Sequence, residues 1–124
     1  MTESAKLPNT WFIDIDGVIF PHNGHLNKRE DEYEKPLPGV VQFFDSLDSD
    51  DRIILCTARK EYFRQKTESS LITAGIRYDL LIMELPTGKR ILINDKKESG
   101  MKTAFAINIT RDSGIQGDIE RFVD

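Results

Sequence analysis

Trp11-Phe12-Ile13-Asp14-Ile15-Asp16-Gly17-Val18 is the stretch whose reading decides the fold. It is an apolar run that carries two carboxylates two residues apart and then breaks at a glycine. On an extended strand, residues i and i+2 point to the same side, so Asp14 and Asp16 project together where the strand ends. Two like charges this close raise each other's pKa, and buried carboxylates are costly unless paired or bound to metal. A divalent cation relieves the repulsion, and hard cations prefer oxygen ligands. Gly17 permits the sharp turn that exposes the strand tip. The plainer alternative is a strand with two acids at a solvated edge.

Working outward, the same pattern of a buried apolar run tipped by a polar residue recurs. Arg52-Ile53-Ile54-Leu55-Cys56-Thr57 is a second buried strand ending in Thr57-Ala58-Arg59, Tyr78 to Met83 a third, and Arg90-Ile91-Leu92-Ile93-Asn94 a fourth, tipped by Asp95. Ala104 to Ile109 is the last strand. Between them, Pro38 starts a helix with Val40, Val41, Phe43, Phe44 and Leu47 on a broad apolar face. A second helix runs from about Lys60 to Ala74, with Phe63, Thr67, Leu71 and Ile72 inward and Gly75 as its stop. Ile115, Ile119 and Phe122 pattern a short C-terminal helix. The segment from about 20 to 37 is turn-rich and then charged, roughly 17 residues, enough for a small hairpin or flap but no folded lid domain. Strands alternating with helices predict an α/β fold with a central parallel sheet covered on both faces. Ligands in such sheets sit at the carboxyl ends of the strands. Asp14, Asp16, Thr57 and Asp95 all fall there.

The chain has 124 residues, one domain by size, with 39% hydrophobic and 31% charged residues. A formal charge of −4 disfavours a wholesale electrostatic grip on nucleic acid or an anionic membrane. The single cysteine, Cys56, excludes an intramolecular disulfide and suits a reducing compartment. The first six residues carry no apolar signal core and no run reaches membrane-spanning length, so the expectation is a soluble, cytoplasmic protein with no membrane partner.

With these residues in place, the sequence resembles the haloacid dehalogenase superfamily of phosphotransferases. Asp14-Ile15-Asp16-Gly17-Val18 matches its first motif, with Val18 where Thr is commoner. Thr57 matches the second, Lys89 is preferred over its neighbour Arg90 for the third, and Asn94-Asp95 after Ile91-Leu92-Ile93 resembles the fourth. The match covers about residues 11 to 109, with the motifs in family order. The resemblance implies a three-layer Rossmann-like fold with a short flap, no cap domain and an open site. It also implies a Mg²⁺-dependent phosphomonoester hydrolase working through an aspartyl-phosphate. Asp14 is then the nucleophile, and Asp16 the acid that protonates the leaving oxygen and later deprotonates water. Mg²⁺ is held by Asp14, the Asp16 backbone carbonyl and Asp95, with Asn94 replacing a second carboxylate and Glu98 or Ser99 reaching a metal-bound water. The Thr57 hydroxyl and the Lys89 cation hold the phosphoryl oxygens, with Gly17, Ala58, Arg59 and Arg90 completing the substrate-binding set. Lidless members of this kind act on large substrates or roof the site with a neighbouring subunit, which implies a dimer or tetramer. Thr57-Ala58-Arg59 with Leu92-Ile93-Asn94-Asp95-Lys96 is most similar to small phosphatases of surface-polysaccharide and heptose pathways, and a small sugar phosphate is the implied substrate.

Other readings stand beside these. Arg59 is equally a contact to a substrate anion or a solvated charge. His22 and His25 read as flap surface or substrate contacts rather than metal ligands. Lys96, Lys97 and Lys102 read as a solvated face, Arg111-Asp112-Ser113-Gly114 as a turn, and Cys56, Trp11 and Phe12 as core. Among rival functions, a signalling receiver domain would place its phospho-accepting Asp where this chain has Thr57. A polynucleotide end phosphatase suits an open site but not the acidic balance. A non-catalytic binding or assembly module fits the thin fourth motif but not the intact Asp14/Asp16 pair.

Overall fold

β1 (Thr10–Asp14) and β2 (Arg52–Cys56) lie side by side and parallel, with Thr10 opposite Arg52 and Asp14 opposite Cys56. β3 (Leu80–Ile82) continues the sheet on the far side of β2, also parallel, with Ile54 opposite Leu80 and Cys56 opposite Ile82. The computed structural model describes residues 7–29, 31–116 and 119, and within them the sheet has three strands in the order β1-β2-β3. Two short helices make the crossovers, α1 (Val40–Ser46) and α2 (Arg64–Thr73), the latter led by a 3₁₀ turn over Glu61–Phe63. The chain is therefore α/β with a small open parallel sheet. No helix among the described residues is long and apolar enough to cross a membrane.

The alternation of each strand chooses its buried face. Ile13 and Ile15 point into the core from β1 and its exit, and Ile53 and Leu55 from β2, the last two completely buried. Val40, Phe43 and Phe44 of α1 and Leu71 of α2 close over them in one continuous cluster. Each such side chain contributes roughly 1.5–3 kcal/mol by leaving water. Trp11 packs edge-on against Phe43, ring centres 5.4 Å apart. Its indole N–H donates to Asp51 at 3.0 Å, and the same carboxylate accepts the Asn9 amide at 2.9 Å, fixing the start of β1 to the start of β2. Asp79 plays the matching part for β3, accepting the Ile53 amide at 2.8 Å. Gly75 ends α2 with φ +75°, a left-handed stop that glycine alone adopts cheaply.

A back-to-back glycine crossing pins the segment after residue 110 to the start of α1. Gly39 (φ +78°) and Gly114 (φ +86°) face each other's neighbouring backbone, and the Ile115 amide donates to the Pro38 carbonyl at 3.0 Å. A Cβ on Gly114 would stand on the Pro38 carbonyl, 2.9 Å from its carbon.

Several expectations need correcting. Arg90–Asn94 and Ala104–Ile109 are not strands: Ile91, Leu92 and Ile93 are 81%, 61% and 91% exposed, and the sheet stops at three strands among the described residues. An apolar run becomes a strand only with a partner ladder, and this one instead closes a local loop, with the Asn94 amide on the Thr103 hydroxyl at 2.9 Å. Phe12 is 56% exposed, because its neighbours Trp11 and Ile13 take the inward positions. Ile72 is exposed and Ser70 takes the buried place on α2. The flap is no hairpin. It is a 3₁₀ turn over Gly24–Asn27 followed by extended chain. Most of the expected C-terminal helix, Phe122 included, lies outside the described residues.

Candidate functional site

β1 and β2 deliver Asp14 and Thr57 to the same end of the sheet, because their parallel register sets Asp14 beside Cys56, one residue before Thr57. Past Asp14 the chain coils at once. The amides of Val18, Ile19 and Phe20 all donate to the Ile15 carbonyl, and the Gly17 amide (φ +84°) donates to Phe20 at 2.7 Å. This coil turns the Asp16 carboxylate toward β2, where it accepts the Thr57 hydroxyl at 3.3 Å. The Asp14 carboxyl is pushed above its ordinary range, chiefly by desolvation at the strand tip and further by the charge of Asp16. The Ile15 amide, Arg90 and His22 pull the other way.

Arg59 is the unexpected centre of the site. Its side chain is 1% exposed, neither a surface charge nor a reaching arm. The guanidinium lies between two acids: Nε and Nη2 on Asp16 at 3.0–3.2 Å, and Nη1 and Nη2 on Glu34 at 2.8 Å each. Nη1 also donates to Thr67 of α2 at 2.9 Å. Burial disfavours its charge, but the hydrogen bonds it donates to Glu34 and Asp16 outweigh that and hold the pKa above the ordinary value. Glu34 is equally buried, and its own amide donates to the Ser70 hydroxyl at 3.1 Å. His25 of the flap completes the group. Its ring is 8% exposed and packs edge-on against Phe63 with centres 4.6 Å apart. Its Nδ1 lies 3.6 Å from Asp16 and is the one buried side-chain polar atom without a hydrogen-bond partner among the described residues. Burial, and then the charge of Arg59, lower the His25 pKa against the opposing pull of Asp16 and Glu34.

The structure brings together Asp14, Asp16, Gly17, Thr57, Ala58 and Arg59. Lys89, Arg90, Asn94 and Asp95 are all exposed. Of the adjacent cations Arg90, not the preferred Lys89, is the one whose charge acts on Asp14 and Cys56. Arg90 is folded back on the preceding turn, its Nη1 on the Pro86 and Gly88 carbonyls at 3.0 and 3.1 Å. Asn94 and Asp95 sit on the exposed loop closed by Thr103. Among the described residues no three His, Cys, Asp or Glu side chains gather as a metal site. Arg111 and Asp112 do line the mouth, as a turn: Asp112 donates its amide to Gly17 at 2.9 Å and accepts the His22 amide at 2.8 Å.

Glu34 escaped the sequence reading because it lies in a polar segment where buried charge is not the prior, and His25, read as flap surface or a substrate contact, instead has its side chain buried beside Asp16. For Arg59 a signal existed, its place two residues after the strand-tip Thr57. A concavity of about 410 Å³ lies behind the flap, lined by Tyr33, Glu34, Lys35, Pro36, Thr73 and Ala74, with none of the strand-tip acids in its wall.

Compared with protein-family models, with curated proteins and with solved structures, the chain matches none.

Proposed function

We propose that the chain is a phosphomonoester hydrolase of the haloacid dehalogenase type, acting on a small sugar phosphate or related metabolite through an aspartyl-phosphate. One observation carries the reading: a carboxylate at the tip of one parallel strand stands beside a second, tethered carboxylate and the Thr57 hydroxyl at the tip of the next. Asp14 stands exposed at the strand tip, as a nucleophile must.

In the first half-reaction an Asp14 oxygen bonds to phosphorus as the ester P–O bond breaks, and Asp16 gives the leaving oxygen its proton. In the second, water attacks phosphorus, the Asp14–phosphorus bond breaks and Asp16 recovers a proton from that water. Arg90, whose charge acts on Asp14, would offset charge on the transferring group in place of Lys89. Mg²⁺ belongs to the proposal as a requirement to be measured.

The test is hydrolysis of p-nitrophenyl phosphate and a panel of sugar phosphates by purified protein, with Mg²⁺ and with EDTA. The wild type is expected to turn over at least one of them. Asp14→Asn is expected to fall to background while keeping its melting temperature. Wild-type turnover by that variant would remove Asp14 as nucleophile. A wild type silent on every phosphomonoester, with and without metal, would remove the function.

A further inference from the structure

An arginine side chain has five N–H donors in a rigid fork. At Arg59 all five are committed. Nε serves Asp16, Nη2 is divided between Asp16 and Glu34, and Nη1 between Glu34 and Thr67. The Phe20 ring closes one face of the group, its centre 5.9 Å from Cζ. A substrate anion could reach this guanidinium only by displacing a buried partner, so its work is done on the protein itself. The group draws on four places in the chain. Asp16 follows β1, Arg59 follows β2, Thr67 belongs to α2, and Glu34 lies on the returning limb of the flap.

That limb is seated by two main-chain bonds, Glu34 to the Ser70 hydroxyl at 3.1 Å and Leu37 to the Ile19 carbonyl at 2.8 Å. Glu34, with 1% of its side chain exposed, is thus a strut between the flap and Arg59, and Arg59 between Glu34 and Asp16. Taking three charges out of water is expensive, and such a group is weak evidence for stability; its best-attested use is to fix one geometry. Here the geometry fixed is that of the Asp16 carboxylate.

We infer that Arg59 and Glu34 are positioning residues, which hold the Asp16 carboxylate in one orientation and make that orientation depend on the flap being seated. The catalytic part of this inference rests on the acid–base role given to Asp16 above. When the flap lifts, Glu34 withdraws, two of the five donors lose their acceptors, and Arg59 is free to swing off Asp16. Flap seating and readiness for proton transfer are then one event.

The experiment compares Glu34→Gln, Glu34→Ala, Arg59→Lys and Asp16→Asn with the wild type, each checked for folding by circular dichroism. Steady-state kinetics on p-nitrophenyl phosphate and amide hydrogen exchange at Leu37 are read in parallel. Glu34→Gln keeps one acceptor and is expected to lower kcat about 10-fold with KM within twofold, and Glu34→Ala about 100-fold. Arg59→Lys, a point charge that cannot bridge two carboxylates, is expected to resemble Glu34→Ala. Exchange at Leu37 is expected to quicken at least 10-fold in Glu34→Ala and to change less than twofold in Asp16→Asn, where the strut is intact. A wild-type kcat in Glu34→Gln, a loss confined to KM, or unchanged Leu37 exchange in Glu34→Ala would overturn the inference. Should Glu34→Ala not fold, Glu34→Gln decides on both readouts. A wild type without phosphatase activity would overturn the catalytic part together with the reading it rests on, whereas the exchange rates separately support or overturn the strut.

Discussion

Replacing Gly114 by alanine tests the crossing that fastens the mouth of the site to α1. Two costs are separable. Placing a Cβ on a residue at φ +86° costs about 1–2 kcal/mol, the penalty of left-handed backbone for an L-residue. The added methyl also lands on the Pro38 carbonyl, 2.9 Å from its carbon, and backbone cannot rotate away as a side chain can. Relief requires the two segments to part, at an overpacking cost of about 1–3 kcal/mol, together with about 1 kcal/mol for the Ile115-to-Pro38 hydrogen bond. Together these come to about 4 kcal/mol. Gly75 supplies the control: its φ is +75°, yet nothing lies within 4 Å of its missing Cβ, so Gly75→Ala carries the backbone cost alone, about 1 kcal/mol. For 124 residues the unfolding entropy is about 0.26 kcal/mol per kelvin, so thermal melts should fall by about 15 °C and about 4 °C respectively. Melting points within about 3 °C of each other would refute the contact between residues 38 and 114.

Two further outcomes follow from other parts of the molecule. The Cys56 thiol is pushed above its ordinary value of 9.0, first by burial and then by the charge of Asp14 against that of Arg90. Because the neutral thiol is the form the fold prefers, its contribution to stability is whole below the unfolded pKa and is lost as pH climbs through the folded one. Iodoacetamide labelling of the native protein should therefore reach half its limiting rate above pH 9.0, and a midpoint at or below that value would contradict the burial of this strand end. Ile93, 91% exposed, should tolerate Ser with less than about 0.5 kcal/mol change in urea unfolding. A loss above 1 kcal/mol would mean that the segment is packed in solution.

Much of the sheet was legible because each of its strands is a short apolar run bounded by turn residues. Asp14, Asp16 and Thr57 were legible for the same reason, since a polar residue ending a buried strand has few places to go. Arg90-Ile91-Leu92-Ile93-Asn94 shares an Arg, two Ile and a Leu with Arg52-Ile53-Ile54-Leu55-Cys56 and has a different fate. What distinguishes them is a partner on either side, a property of the folded chain and not of the five residues. The Glu34–Arg59–Asp16 chain was illegible for a different reason. Its members are 25 and 43 residues apart, and charged side chains are read as solvent-facing unless something names their partners.

The parallel register has a consequence for how the chain comes into being. Thr10 pairs with Arg52, and among the described residues nothing nearer in the sequence lies beside β1 in the sheet. On a ribosome adding about 5–20 residues per second, the first strand would wait about 2–8 s for its partner to be synthesised. During that wait β1 has no strand to pair with, and closing so large a loop adds an entropic toll of roughly 3 kcal/mol. Birth of this protein is thus an interval of exposure, in which a chaperone has its clearest opportunity.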